Sequence, residues 1–459
     1  MGTLGWRSRA AIAVLSVAAS IGTTALAVPV QARSAPAGPV STAPASGTPQ
    51  LAPSGSVEQV RQLVQCGGTM YAVGSFTEIK QGQTTYRVNN VFSFSATSPY
   101  KVTGWFPSVN GKVNTIAFNG GNCADAYIGG TFTSIGGSAV SDIAEIDTTT
   151  GAVVHGFGTQ ANGEVDTIAS YNNHLLVGGH FKSINQSSAD PYMASLNPAN
   201  GQDDGFVHLN ISGNYQYPGV GPNNTNVYNQ QLSHGGTLDL VEGDFTSVGG
   251  LARQQIFMLD LSGPAATVTG WSSPEWDGSQ GNLPGGYPYQ CATKEPFYIK
   301  GASWSPDDST VYIATNGFHP WNQPTSGPRT GLCDAAAAFP ATQTEVTHLW
   351  INYTGCDSLY STAADTSTAY FGGHERWSMN PDGCNSPGPG AVSAPGMEGL
   401  SPATGSLAYN PTRGRGLGAD DMQLTSGGLW IASDNDKNTA MCGGKGNHAG
   451  ICFFPYPST

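Results

Sequence analysis

Large apolar residues recur along this chain in short runs that end in glycine and lead into an aromatic residue and a turn. The clearest run is residues 126–137, which read Ala-Tyr-Ile-Gly-Gly-Thr-Phe-Thr-Ser-Ile-Gly-Gly. Related runs lie at residues 71–76, 176–181, 240–245, 312–317, 370–375 and 430–435. Seven copies of one unit predict a repeat architecture rather than a single irregular core.

The second copy shows what one unit contains. Residues 113–118, 126–132, 142–147 and 152–157 are short apolar segments separated by turns, without helical periodicity. This pattern predicts a four-stranded antiparallel meander. Because one small sheet cannot bury both of its faces, the units are expected to pack around an axis. The predicted fold is all-β, a seven-bladed β-propeller of four-stranded antiparallel blades over residues 57–459.

Closure of the ring is less regular than its repeats. The last copy ends at residues 450–455, which match a third strand, and no fourth strand follows. We expect residues 51–58 to supply that strand. A three-stranded last blade is the alternative.

The repeat also resembles a known family. The Tyr-Ile-Gly-Gly-Thr-Phe-Thr-Ser-Ile-Gly-Gly form and the later Asp-Thr-Thr-Thr-Gly turn at residues 147–151 resemble the delta-60-type (YVGGxFT) propeller repeats of secreted actinobacterial proteins. The resemblance covers the chain from about residue 57 onward. It implies a propeller fold and no particular activity, since one fold hosts many functions.

Composition agrees with a turn-rich β protein. The 459 residues include 62 glycines and 30 prolines, and only 11% of them are charged, which is unusual for a helical protein. The net charge of -13 argues against nucleic acid and anionic membranes as partners, because both attract basic surfaces.

The N-terminal segment has the features of a secretion signal. Arg7 and Arg9 precede an apolar stretch at residues 10–19, and small-residue cleavage sites follow at 25–27 and 30–32. Residues 1–32 are therefore predicted to be a signal peptide, and no membrane span is expected in the mature chain. Residues 33–56, rich in Ala, Pro, Ser and Thr, are predicted to be a flexible linker.

Long insertions are predicted to gather on one face of the ring, where the connections between blades and between second and third strands lie. They are residues 207–229, 272–297, 319–330, 376–391 and 437–448. Candidate ligand-binding aromatic residues on this face are Tyr215, Tyr217, Trp276, Tyr287, Tyr289, Trp321 and Trp377. Exposed rings of this kind stack on sugars or anchor a protein partner. The alternative is that the rings hold the glycine-rich loops in place.

Eight cysteines in a secreted chain indicate disulfides. Their positions relative to the two faces predict the pairs Cys66–Cys123, Cys291–Cys333, Cys356–Cys384 and Cys442–Cys452. Because the chain has no Cys-x-x-Cys pair, a cysteine metal site is not expected.

A polar ring is predicted at the start of the first strands, near the axis. Its members are Asn114, Asp166, Asp357, Asp420 and Asp421. Converging carboxylate and amide oxygens suit Ca²⁺, and the four aspartates are the candidate metal ligands. The alternative is a polar lining of a water-filled channel. No other cofactor is expected.

Catalytic motifs are missing from the sequence: it has no Gly-x-Ser-x-Gly elbow, no His-Glu-x-x-His and no phosphate loop. The leading hypothesis is a secreted, non-catalytic module that binds an extracellular polysaccharide or protein through the insertion face. A carbohydrate-active hydrolase or lyase with its site on the same face is the first alternative. A structural cell-surface repeat protein is the second.

Overall fold

Short antiparallel strands make up the regular structure of this protein. The computed structural model describes residues 1–2, 38–214, 224–276, 297–317, 331–342, 344–411, 413–416, 418–435, 442 and 448–457. Within these ranges the fold is all-β, with no helix. A search of the same ranges finds no helix long and apolar enough to cross a membrane. All of the strands belong to the compact unit Ala35–Thr459.

The described residues form 34 strands. The first seventeen are β1 Gln50–Leu51, β2 Gln59–Cys66, β3 Thr69–Ser75, β4 Glu78–Gln81, β5 Thr84–Arg87, β6 Val91–Ser95, β7 Lys112–Ala117, β8 Asp125–Thr131, β9 Ser134–Ile135, β10 Ser138–Ala139, β11 Ile143–Asp147, β12 Val165–Tyr171, β13 His174–Gly179, β14 Met193–Leu196, β15 Ile211–Ser212, β16 Asn226–Leu232 and β17 Leu238–Asp244. The rest are β18 Ser247–Val248, β19 Leu251–Ala252, β20 Ile256–Asp260, β21 Thr267–Val268, β22 Ile299–Trp304, β23 Thr310–Thr315, β24 Ala335–Pro340, β25 Trp350–Tyr353, β26 Leu359–Ala364, β27 Ala369–Gly373, β28 Trp377–Ser378, β29 Val392–Ser393, β30 Met397–Leu400, β31 Leu407–Tyr409, β32 Asp421–Thr425, β33 Gly428–Ala432 and β34 Ile451–Pro455.

Seven larger sheets follow one another along the described chain, and we number them I to VII. Sheets I to III are β2-β3-β6, β7-β8-β11 and β12-β13-β14. Sheets IV to VI are β16-β17-β20-β21, β22-β23-β24-β25 and β26-β27-β30-β31, and sheet VII is β32-β33-β34. Four smaller sheets are β1-β4-β5, β9-β10, β15-β18-β19 and β28-β29.

The expected fourth strand is therefore present in sheets IV, V and VI and missing from the described part of sheets I, II, III and VII. In sheet II, residues 152–157 were the predicted fourth strand. They add a single bridge, between Ile146 and Val153, whose two backbone bonds run from Val154 N to Glu145 O and from Asp147 N to Ala152 O, both at 2.9 Å. The chain then leaves the sheet edge, so the fourth strand is reduced to an isolated contact.

The second strand of each large sheet is buried along most of its length. β27 and β33 are buried along their whole length, and β8 is buried except at its two ends. The hydrophobic clusters explain this burial, because they combine residues of successive sheets. One cluster, for example, joins Ala117 and Tyr127 of sheet II to Val165 and Leu175 of sheet III. Each sheet thus covers one face of the next.

First strands of successive sheets contact one another in an order that returns to its start. The contacts run from β2 to β7, β12, β16, β22, β26 and β32, and then from β32 back to β2. Polar side chains reinforce the return. Asp421 Oδ2 accepts a hydrogen bond from Leu63 N at 3.0 Å, and Gln423 Oε1 accepts one from Gln65 N at 3.0 Å. The last sheet is therefore bonded to the first.

The N-terminal segment covers the outer edge of sheet VII. Ser41 N donates to Pro455 O at 2.7 Å, and Ala45 N donates to Phe453 O at 2.7 Å. Val40 is buried in the cluster that contains the residues of β33 and β34. Residues 51–58 were expected to supply the missing strand. The edge is instead covered by residues upstream of them. Part of the segment predicted to be a flexible linker is packed.

Three of the four predicted disulfides are formed within the described residues, namely Cys66–Cys123, Cys356–Cys384 and Cys442–Cys452. Cys333 is also disulfide-bonded. Its predicted partner Cys291 lies outside the described residues. Cys66–Cys123 links the end of β2 to the segment before β8. It therefore connects sheets I and II at the end of the sheets opposite the starts of the first strands.

Candidate functional site

A β-bulge interrupts the first strand of six large sheets, always directly after its first buried aliphatic residue. In sheet II the pairing shifts between Val113 and Thr115, so that Asn114 is the extra residue. The extra residues in sheets I to VI are Arg61, Asn114, Asp166, Tyr228, Lys300 and Tyr360. Asp420, immediately before β32, has the corresponding place in sheet VII. All seven line one cavity of about 250 Å³, and we call them the bulge ring.

The paired glycines of the repeat allow this bulge. Gly130 lies opposite Val113, and a Cβ atom there would be 2.0 Å from the backbone oxygen of Lys112. At Gly129 a Cβ would be 2.4 Å from Val165 Cγ1 of the next sheet. The same clash with a first-strand carbonyl, at 2.1 to 2.3 Å, would occur at Gly74, Gly179, Gly243 and Gly373. The repeat motif is therefore the backbone requirement of a bulge that turns one side chain toward the shared cavity.

The bulge ring mixes both charges with aromatic and amide groups. Arg61 and Lys300 are cationic, while Asp166 and Asp420 carry carboxyl groups. Lys300 follows Tyr228 and precedes Tyr360 in the order of the sheets, and its Nζ lies 5.5 Å from the Tyr228 ring centroid. A ligand at this position would meet rings, a cation and carboxyl groups within one cavity.

Burial perturbs the acids of this cavity. It raises the pKa of Asp166 to about 8, with the nearby Glu164 carboxylate adding to the effect and Lys112 opposing it. Burial also raises the pKa of Asp420 to about 7 and that of Asp421 to about 6. These carboxyl groups therefore change protonation near neutral pH and can donate as well as accept hydrogen bonds.

Below the bulge ring, the polar lining continues along the first strands. A second cavity of about 310 Å³ shares Gln62, Gln231, Thr362, Asp421 and Met422 with the first. Gln62 also bonds the neighbouring sheet, since its Oε1 accepts from Ile116 N at 2.7 Å. The side chains that line these cavities thus also connect the sheets.

Asp166 belongs to a cluster of polar groups at the edge of this cavity. Asn114 Nδ2 donates to Asp166 Oδ1 at 2.9 Å and to Glu164 Oε1 at 2.8 Å. The Lys112 ammonium group also contacts Glu164 Oε1. His180 follows β13, and its Nε2 is 3.4 Å from Asp166 Oδ2. Burial lowers the pKa of His180, although the Glu164 charge opposes this shift, so the imidazole is neutral at neutral pH.

The predicted set of four metal-binding aspartates is not brought together. Asp166, Asp420 and Asp421 line the cavity, but Asp357 does not. Asp357 is buried and bonded to two guanidinium groups, at 3.1 Å from Arg376 and 2.7 Å from Arg415. The assignment was wrong because β26 begins at Leu359. The bulge position of sheet VI is therefore occupied by a tyrosine.

Trp276 was predicted to belong to an aromatic binding surface, and the structure places it elsewhere. This residue is fully buried, with its ring centroid 5.1 Å from that of Trp271 and 4.8 Å from that of Phe339. It is thus a core residue, as the alternative of loop-anchoring rings proposed. Trp377 is half-buried, and its Nε1 donates to Asn385 O at 3.3 Å. Tyr215, Tyr217, Tyr287, Tyr289 and Trp321 lie outside the described residues.

Four members of the bulge ring were not placed in the predicted polar ring, namely Arg61, Tyr228, Lys300 and Tyr360. The signal that could have found them is positional. Each follows the first buried aliphatic residue of a first strand, as Asn114 follows Val113 and Asp166 follows Val165. The residue types differ between copies, so no shared chemistry marks the position.

Topology places the bulge ring on the side of the long connections. In antiparallel sheets, the start of the first strand and the end of the second lie at the same end. The bulges are at the starts of the first strands. The connections that enter β16 and β22, and those that leave β23, β27 and β33, are attached at this end of their sheets.

No protein-family model matches the chain, and no curated protein is significantly similar to it. Solved structures with a similar arrangement include the computationally designed Ika8 protein, with 9% identity, a TM-score of 0.40 and coverage of 91% of this chain and 99% of that chain. BamB from Moraxella catarrhalis has 12% identity, a TM-score of 0.40 and coverage of 87% and 98%. The Cps50 (Swd1) β-propeller domain from Myceliophteria thermophila has 9% identity, a TM-score of 0.38 and coverage of 68% and 79%. At these TM-scores the similarities carry no argument about function.

Proposed function

We propose that the protein is a secreted, non-catalytic module that binds an extracellular polysaccharide at the bulge ring and the loops around it. Sheets I to VII would be the blades of a seven-bladed β-propeller, and the described sheet contacts, which return from β32 to β2, support this. Three disulfides within the described residues support an extracellular location. The resemblance to delta-60-type repeats stays a prediction.

The observation that carries the proposal is the convergence of the bulge ring on one polar cavity. Six bulges, together with Asp420 at the matching place before β32, direct seven side chains into one cavity, although strands without bulges would have completed the same sheets. Natural bulges are enriched beside functional sites because they re-aim a side chain. We infer that the ring is maintained for a ligand.

The lining favours a carbohydrate over a protein partner. Tyr228 and Tyr360 offer rings for stacking, and the surrounding amide, hydroxyl and carboxyl groups match the hydroxyls of a sugar. A protein interface has an apolar centre. The large apolar side chains exposed in the described internal residues are scattered: Val57, Leu251, Leu349, Met379 and Val392.

A glycan array probed with the full secreted chain tests this proposal. We expect retention of a polysaccharide by the wild type and a loss of at least tenfold in affinity for Tyr360→Ala and Lys300→Met. The matched control is Lys101→Met, which removes an exposed lysine outside the cavity. Equal binding by all four proteins, or no retention of any glycan by the wild type, would contradict a carbohydrate site at the ring.

A hydrolase is the second candidate, because two acids of the cavity have pKa values suited to proton transfer. These are Asp166, at about 8, and Asp420, at about 7. A carboxyl group that keeps its proton near neutral pH can act as a general acid. Product analysis of any retained polysaccharide separates the candidates. Cleavage by the wild type that Asp420→Asn abolishes would establish the enzyme, and retention of intact polymer would establish the binding module.

A further inference from the structure

The His180 contact differs from the other histidine–carboxylate contacts in the described chain. At His174, His208, His234 and His348, the ring nitrogen lies 2.7 to 3.0 Å from one carboxylate oxygen, as in a direct hydrogen bond. His180 Nε2 lies 3.4 Å from Asp166 Oδ2. Ligand atoms of Glu164, Asp166 and His180 all fall within 4.8 Å of one another.

A separation of this size is what two ligands of one zinc ion show. With Zn–N and Zn–O distances of about 2.1 Å and tetrahedral angles, neighbouring ligand atoms are about 3.4 Å apart. Asp166 Oδ2 is buried, and the described residues give it no hydrogen-bond partner. Its other oxygen is held by Asn114. The atom that faces the imidazole is thus the one left for a metal.

The backbone fixes the three side chains on adjacent strands. Glu164 and Asp166 flank the buried Val165 at the start of β12. His180 N donates to Glu164 O at 2.8 Å, which holds the histidine beside them. Asn114, from the neighbouring sheet, bonds both carboxylates, as residues behind metal ligands commonly do. The His180 side chain is 39% exposed, so the cluster is accessible to an ion from solvent.

From this geometry we propose that Glu164, Asp166 and His180 bind one divalent ion of the zinc class. An imidazole with carboxylates suits Zn²⁺ rather than Ca²⁺, which takes oxygen ligands. Lys112 contacts Glu164 Oε1 and competes with the ion for that carboxylate. The site lies at the edge of the axial cavity, and its existence does not depend on the carbohydrate proposal.

Calorimetric titration of the untagged, chelator-treated full chain with Zn²⁺ tests the site. We expect one equivalent to bind, with affinity falling more than a hundredfold in His180→Ala and in the isosteric Asp166→Asn. Asn114→Ala should weaken binding ten- to a hundredfold, as loss of a group behind the ligands does. Lys112→Met should strengthen binding severalfold, because it removes the competing charge; a purely structural cluster has no reason to do so.

The matched control is His208→Ala, which removes a histidine paired with Asp190 alone and should leave the Zn²⁺ affinity unchanged. Co²⁺ titration supplies a second measurement, since a tetrahedral site gives strong visible absorption that His180→Ala should abolish. Far-ultraviolet circular dichroism identifies any variant that fails to fold, and His180→Gln then takes the place of His180→Ala. Absence of stoichiometric Zn²⁺ binding by the wild type, or wild-type affinity in folded His180 and Asp166 variants, would overturn the proposal.

Discussion

Single glycines decide where the functional side chains of this protein point. In sheet II, Gly130 lies against the Lys112 carbonyl and Gly129 lies against Val165 of the next sheet. A side chain at either position would press on the bulge or on the following sheet. The aromatic residue that follows the glycines is buried as well, as Phe132 shows. The motif thus combines a close backbone contact with a core anchor.

Gly130→Ala is expected to destabilise the protein by about 3 kcal/mol, because its Cβ would meet backbone that cannot move without displacing the bulge. Urea unfolding measures the change. Gly158→Ala is the matched control, since no atom lies within 4 Å of its Cβ position, and it should shift stability by less than about 0.5 kcal/mol. Equal effects at the two positions would remove the close-approach explanation.

Glu242 replaces the first glycine of the pair in sheet IV and makes stability pH-dependent. Burial raises its pKa from 4.5 to about 8, although hydrogen bonds from Asn229 and the Ala302 backbone oppose the shift. The folded state therefore holds a proton that the unfolded state releases near pH 4.5. The contribution of this bound proton to the free energy of unfolding is fully present below about pH 4.5 and is lost as pH rises through about 8.

The stability of the wild type relative to Glu242→Gln should consequently decrease between about pH 5 and pH 8, and urea unfolding at several pH values measures it. Asp147→Asn is the control with the opposite sign. Hydrogen bonds from Thr150 and Thr149 lower the pKa of Asp147, so its contribution is lost only at low pH. Its difference from the wild type should be constant across the same window. A constant difference for Glu242→Gln would contradict the assigned shift.

In sheet II the first three strands were predictable and the fourth was not. β7 Lys112–Ala117 and β11 Ile143–Asp147 match the predicted segments 113–118 and 142–147. Residues 126–132 were expected as a strand and β8 spans Asp125–Thr131, because a strand covered on both faces is apolar throughout. Fourth strands lie at the sheet edge, where few apolar contacts constrain them. Residues 152–157 therefore look like a strand in sequence yet form one bridge. The start of β26 was misplaced for a related reason, since Asp357 has no apolar pattern around it.

The N-terminal segment shows how an edge can be completed from a distant part of the chain. Ser41 and Ala45 donate to β34, and Val40 N donates to the Tyr370 hydroxyl at 3.0 Å. Low-complexity sequence predicted a linker there, because Ala, Pro, Ser and Thr offer little to bury. One buried valine and a few backbone hydrogen bonds are enough to hold the segment, and composition does not reveal them.

A chain that begins after residue 48 should be less stable than one that begins at residue 38 by about 3 kcal/mol, from the lost burial of Val40 and the lost backbone bonds. Thermal unfolding measures the difference. Ala45→Pro in the longer chain removes one donor and should produce part of the effect. If both chains melt at the same temperature, the segment does not stabilise the edge of sheet VII.

At the scale of the whole molecule, the repeats determine the sheets, whereas the bulge ring forms only when the sheets have packed together. Asp166 and Asp420 were selected from sequence because carboxylates are conspicuous. Arg61 and Lys300 were not, because a lone cation has no local motif. What they share is the cavity that they line, and this cavity exists only after the sheets have packed. For Trp276 the prediction was wrong in the opposite way. It was expected on the surface because it belongs to a long insertion, but its ring reaches the core.

The bulge has a consequence for how such a protein can change. Because each extra residue has no partner in its ladder, its side chain does not have to be apolar for the sheet to form. The seven positions of the bulge ring already hold five residue types in this chain, namely Arg, Asn, Asp, Tyr and Lys. Substitutions there can change what the cavity recognises while the strands stay as they are, but coupled neighbours such as Asn114 and Asp166, or Lys300 and Tyr228, have to change together.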